Sequence, residues 1–181
     1  MATVLRILVV LALALVFLQL LYYGFRIKGH ALGEFPIAWP ALVLSKLSMI
    51  VSLSLLLWEA IRGRGELSPV LAIVCACLLT GGTVIFALGF PKLGTSLRIG
   101  LPREETALVT SGIYGLSRNP IYLAIFCLLG ASLLYAFSWV NLAAVLISVA
   151  LHHRIVLAEE TYLVNRFVEY SSYKRRVRRY L

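Results

Sequence analysis

Apolar residues dominate five stretches of the chain, and polar residues gather between and after them. The stretches run from about Val4 to Tyr23, Ala41 to Ile61, Pro69 to Phe90, Pro120 to Tyr135 and Trp139 to Ala158. A helix needs roughly 20 apolar residues to cross a bilayer, so the pattern predicts about five transmembrane helices. The Tyr22-Tyr23 pair suits the aromatic belt at a membrane surface. Gly24 to Pro40 reads as a Gly- and Pro-punctuated connection, and Lys46, near one end of the second span, can snorkel. Gly81-Gly82 would let another helix approach the third span closely. The tight break at Phe137-Ser138 makes the last two spans an antiparallel hairpin. Lys92 to Asn119, with Gly94, Gly100 and Gly112, is the longest stretch outside the membrane.

Composition agrees with this reading. Of 181 residues, 61% are hydrophobic and 14% charged, which excludes an ordinary soluble domain. The net charge of +9 points to membrane electrostatics rather than to nucleic acid. Cys75, Cys77 and Cys127 fall inside apolar runs and read as small packing residues. The first apolar run lacks a small-residue cleavage pattern and reads as a retained helix, not a signal peptide. With five spans, residues 24–40, 92–119 and 154–181 share one side and hold thirteen of the 17 basic residues, against Arg6, Arg62 and Arg64 opposite. The positive-inside rule therefore predicts a cytoplasmic 92–119 segment and C-terminus, with the N-terminus outside. The fold expected is an all-α integral membrane protein of about five transmembrane helices plus a cytoplasmic C-terminal helix. Residues 1–90 supply three helices, and residues 91–181 the loop, the hairpin and the tail.

The chemistry is concentrated in the second part. Asn119-Pro120 is a helix-start signal, because Asn can cap free backbone N–H groups and Pro suits the first helical position. Such an N-terminus can receive a carboxylate or phosphate, and Arg118 would reinforce it. The plainer reading is a membrane helix that merely starts there. Below the fifth span, Glu159 shares a face with Ile155 and lies near that of His152, whereas Glu160 projects elsewhere. His152 and His153 read as interfacial, since no second pair stands at metal-ligand spacing. Lys174-Arg175-Arg176-Val177-Arg178-Arg179 reads as a patch for anionic headgroups.

Three motifs occur in order: Leu108-Val109-Thr110-Ser111-Gly112-Ile113-Tyr114, then Arg118-Asn119-Pro120-Ile121-Tyr122, then Glu159-Glu160 with Leu163, Phe167, Tyr170 and Tyr173. Over about residues 88–180 they resemble the isoprenylcysteine carboxyl methyltransferase family and its relatives among phospholipid methyltransferases. The resemblance implies a membrane-embedded methyltransferase that uses S-adenosyl-L-methionine and takes a lipid-like or amphiphilic acceptor from the membrane, with carboxylate O-methylation favoured. It also implies that Thr106, Ala107, Leu108, Val109, Tyr114, Asn119, Pro120, Ile121 and Tyr122 line the cofactor pocket, with Glu159 as the cofactor-contacting acid. The chemistry agrees, since a cofactor bearing a carboxylate, an ammonium and a sulfonium calls for a helix N-terminus, an acid and aromatic faces.

The chain also departs from the prenylcysteine enzymes. It has Arg118-Asn119-Pro120 where they carry Arg-His-Pro, and Ile155 where they carry an acceptor-contacting Arg, with Arg154 displaced by one position. Val168 replaces a Gly. Arg98 and Arg154 are then the candidates to contact the acceptor. N-methylation of an aminophospholipid, a reductase related to sterol reductases, and a non-catalytic scaffold are the competing readings. No ionisable residue marks a transport path near the middle of a span.

Overall fold

A computed structural model describes residues 2–26, 37–63, 67–93 and 108–181. It contains α1 (Ala2–Arg26), α2 (Trp39–Arg62), α3 (Pro69–Leu93), α4 (Pro120–Tyr135), α5 (Trp139–Arg166) and α6 (Tyr170–Arg176), with a 3-10 turn at Gly112–Gly115. There is no strand among the described residues. The all-helical expectation holds. Four helices are long and apolar enough to cross a membrane: α2, α3, α5 and the Ala2–Tyr22 part of α1. The fifth, α4, has 16 residues, or about 24 Å at the helical rise, some 6 Å short of a typical hydrocarbon core.

The punctuation lies where the pattern placed it. Proline stands in the first turn of both α2 and α4, where its missing N–H is harmless. The Ser138 side chain caps α5 by accepting from the Asn141 N–H. Proline does not end α3, which continues through Pro91 to Leu93. Pro91 has no N–H for the Ala87 carbonyl one turn back, and the Gln19 side-chain amide of α1 donates to that carbonyl at 3.3 Å.

Pairings along the helices fix their directions. Gly82 lies against Cys127 and Ala124, and Gly89 against Pro120 and Ile121, so α3 and α4 run antiparallel. Lys46 meets His152, and Ser52 meets Ser132, whose hydroxyl is bonded by Asn141; α2 and α5 are likewise antiparallel. Arg6 donates to the Ala60 and Ile61 carbonyls in the last turn of α2. One face of the bundle, the near face, thus gathers the ends of α1, α3 and α5 with the starts of α2 and α4. The most extensive helix pairing is α3 with α4, while α1 rests on α2 and α3. Val9, Leu56, Cys75, Leu79 and Leu128 form the sealed apolar centre. Beside it runs a polar seam. Ser45, Ser48 and Ser52 of α2 are buried, and Asn141 ties the α4–α5 turn by donating to the Ser132 and Ala136 carbonyls.

Candidate active site

Glu160 is the structural centre of the near face. Its carboxylate accepts from Arg118 Nε at 3.2 Å and Nη2 at 3.1 and 3.2 Å. It also accepts from Asn119 Nδ2 at 2.9 Å and from Arg179 Nε and Nη2 at 3.2 and 2.9 Å. The second guanidinium nitrogen of Arg118 donates to the Lys174 and Val177 carbonyls. Two sequence expectations are corrected here. Asn119 stands at the start of α4 but forms no side-chain cap, because its amide is turned to Glu160 and to the Arg179 carbonyl. Arg118 does not reinforce an anion site at that helix start, since the buried carboxylate and the tail carbonyls engage it.

The C-terminal tail is therefore part of the fold. The Arg118 and Asn119 N–H groups donate to the Arg178 and Arg179 carbonyls, and Ser117 Oγ donates to the latter as well. Tyr173 donates to the Tyr114 carbonyl at 2.6 Å, pinning α6 to the 3-10 turn. Burial raises the Tyr170 and Tyr173 hydroxyls to about 12 and raises that of Tyr114 too. Gly112 opens this turn with φ 65°, a left-handed conformation available to glycine at little cost. Of the basic cluster, Lys174, Arg175, Arg176 and Arg178 remain exposed, whereas Arg179 is held by Glu160, whose hydrogen bonds raise its pKa.

Deeper in the bundle, Tyr122 of α4 donates to Glu159 of α5 at 2.8 Å. The Tyr122 ring lies 6.0 Å from that of His152, and His152 Nε2 is 3.3 Å from Lys46 Nζ. Glu159 is within electrostatic reach of both Lys46 and Tyr114. A row of polar groups thus crosses from α2 through α5 to α4. His152 is packed inside the bundle, being 0% exposed; its Nδ1 sits 2.8 Å from the Ser148 carbonyl. Lys46 does not snorkel outward, for its ammonium is turned to that histidine. His153 instead meets the Tyr180 hydroxyl at 2.8 Å, and the Tyr180 ring packs edge-on against Phe126.

Among the residues singled out in the sequence, Tyr114, Asn119, Pro120, Ile121, Tyr122 and Glu159 converge where α4 begins beside α5. Leu108 and Val109, both half-buried, lead into the 3-10 turn. Arg154 is exposed on α5, and Arg98, Thr106 and Ala107 lie outside the described residues. Lys46 and His152 read in the sequence only as residues near span ends, and the tail contacts of Tyr173, Arg179 and Tyr180 were not foreseen, because the partners are 19 to 106 residues away in sequence.

The family model for phospholipid methyltransferases matches residues 70–169, more than half of the chain. The chain belongs to the phospholipid methyltransferase family. This family includes the isoprenylcysteine carboxyl methyltransferases, and membership makes the chain a membrane methyltransferase of lipid-like substrates. No curated protein and no solved structure matches it. The matched stretch holds α3, α4, α5 and the Tyr122–Glu159 pair; α1, α2 and α6 lie outside it.

Proposed function

We propose that the chain binds S-adenosyl-L-methionine where α4 begins beside α5, and transfers its methyl group to an amphiphilic acceptor that reaches the near face from the membrane. The observation that carries this reading is the Tyr122–Glu159 hydrogen bond at 2.8 Å, inside the family-matched stretch. The residues present suit such a cofactor. Glu159 offers a carboxylate for its cationic groups, while Tyr114 and Tyr122 offer aromatic faces. The N-terminus of α4, which no side chain caps, offers N–H donors for a carboxylate.

When bound, the cofactor supplies an activated methyl group, so the protein needs no nucleophile of its own. Its residues orient and exclude water. Tyr122 fixes one Glu159 oxygen and leaves the carboxylate's other acceptor positions for a ligand. The Glu160 network holds α4, α5 and the tail in one register, so that the reacting groups meet aligned and away from bulk water. The acceptor has carboxylate or similar nucleophilic character, in keeping with the isoprenylcysteine branch of the family.

The test is cofactor binding by the purified chain in detergent or nanodiscs. Glu159→Gln and Tyr122→Phe are each expected to weaken S-adenosyl-L-methionine about tenfold or more, the effect of losing a charge-assisted hydrogen bond of about 1.5–3 kcal/mol. Unchanged affinity in both variants would overturn the site.

A further inference from the structure

We propose that Lys46, presented by His152, is the acceptor-selecting residue of this site, and that its ammonium pairs with an anionic group of the amphiphilic acceptor. The inference rests on the methyltransferase reading and adds to it a residue outside the family-matched stretch. Lys46 lies about two turns inside α2. An ionisable side chain turned into a membrane bundle is unfavourable, and those kept there commonly serve a substrate. Its side chain is directed inward, to His152 Nε2 at 3.3 Å.

The imidazole explains how the charge is presented. The carbonyl of Ser148 lies 2.8 Å from His152 Nδ1 and can only accept, so Nδ1 carries the proton. Nε2 then offers a lone pair to Lys46. A neutral histidine steadies the ammonium without cancelling its charge, and among the described residues Lys46 forms no ion pair. The two ends of the polar row therefore differ in sign. Glu159 sits beside Tyr122, where it suits a sulfonium, and Lys46 sits on the α2 side, where it suits an anion and repels an ammonium headgroup.

A carboxylate and a phosphate oxygen share the chemistry Lys46 would recognise. For a carboxylate, a new carbon–oxygen bond forms as the methyl carbon–sulfur bond breaks, with that bond's electron pair passing to sulfur and no proton released. The product is a neutral ester. Lys46 then loses its counter-charge, which favours release.

The experiment uses the full chain in nanodiscs of zwitterionic lipid, with methyl-labelled S-adenosyl-L-methionine. Three single-chain amphiphiles of equal tail length are offered, headed by a carboxylate, a phosphate or an amine. Lys46→Gln is expected to raise the KM for the anionic acceptor about tenfold or more, with the cofactor Kd changed less than about twofold. Lys46→Arg should restore KM to within about threefold, and the amine should not be methylated. Turnover of the carboxylate alone, or of the phosphate alone, identifies which anion is meant. The proposal is overturned if Lys46→Gln leaves KM unchanged, if Lys46→Arg fails as badly, if the amine is methylated as well as the anions, or if cofactor binds but none of the three acts as acceptor. A wild-type chain that binds no cofactor overturns the methyltransferase reading itself; normal binding with an unaffected KM removes only the role of Lys46.

Discussion

All three guanidinium nitrogens of Arg118 are engaged, Nε and Nη2 at Glu160 and Nη1 at the Lys174 and Val177 carbonyls. Lysine has three donors and no planar fork, so Arg118→Lys cannot reproduce the arrangement. Glu160→Leu is the harsher change. It would leave Arg118, whose side chain is 7% exposed, without its counter-charge, and breaking a buried pair this way costs about 3–5 kcal/mol. The expected outcome is detachment of α6 and the tail, read as faster tryptic cleavage at Arg175, Arg176 and Arg178; cleavage at the wild-type rate would refute it. Some of this was legible in the sequence, because Asn119, Pro120, Tyr122 and Glu159 stand in short motifs whose residue types already state a chemistry. Lys46 and His152 were not legible. Each reads as an end-of-span residue until the rotation of α2 against α5 is known, and nothing local to either one encodes that rotation.

Helix by helix, the sequence was the better guide. Long apolar runs and Pro or Gly punctuation suffice to place α1 to α5, since backbone groups in a bilayer have few ways of being satisfied other than a helix. What it could not tell is which glycine of a pair is used. A Cβ on Gly82 would meet Cys127 Cβ at 3.0 Å and the Ala124 carbonyl at 3.1 Å, while one on Gly81 would meet nothing within 4 Å. Gly82→Ala should therefore push α3 from α4 and destabilise by about 1–3 kcal/mol, the usual effect of overpacking. Gly81→Ala should stay within about 0.5 kcal/mol. Thermal unfolding in detergent separates the two, and equal effects would contradict the packing described. The continuation of α3 through Pro91 was hidden as well, because the donor that compensates it is on α1. Gln19→Ala should cost about 1 kcal/mol, and nothing in a Pro91→Ala background, where residue 91 regains the N–H that reaches Ala87. A cost undiminished by the second substitution would show that Gln19 acts elsewhere.

At the scale of the whole molecule, α1 to α5 run alternately between the two faces among the described residues, with Ala2 at the far face and Leu181 at the near face, which predicts opposite sides of the membrane for the two. The outer surface is a broad apolar band that includes Leu11, Leu18, Leu47, Ile73 and Leu146. Exposed aromatic side chains border it, Tyr22 and Trp39 at the near face and Trp58, Phe137 and Trp139 at the far face, as at the two interfaces of a bilayer. The faces differ in charge. The near face receives Lys92 from the end of α3 and the exposed Lys174, Arg175, Arg176 and Arg178 of the tail, whereas the far face carries Arg6 and Arg62. Arg6 is bonded to the α2 carbonyls, and Arg62 lies 4.2 Å over the Trp58 ring. Free basic side chains near an anionic cytoplasmic leaflet contribute about 1 kcal/mol each, so the near face should be cytoplasmic and the site should meet its water-soluble cofactor there. With Cys75, Cys77 and Cys127 replaced by Ala, a single cysteine introduced at Ala2 should react with a membrane-impermeant maleimide in intact cells, and one introduced at Leu181 only after permeabilisation. The reverse pattern would turn the molecule over and place the Tyr122–Glu159 pair on the side without cytosolic cofactor, which would sink the proposed reaction together with the orientation. Labelling of both positions in intact cells would instead deny that the chain crosses the membrane an odd number of times.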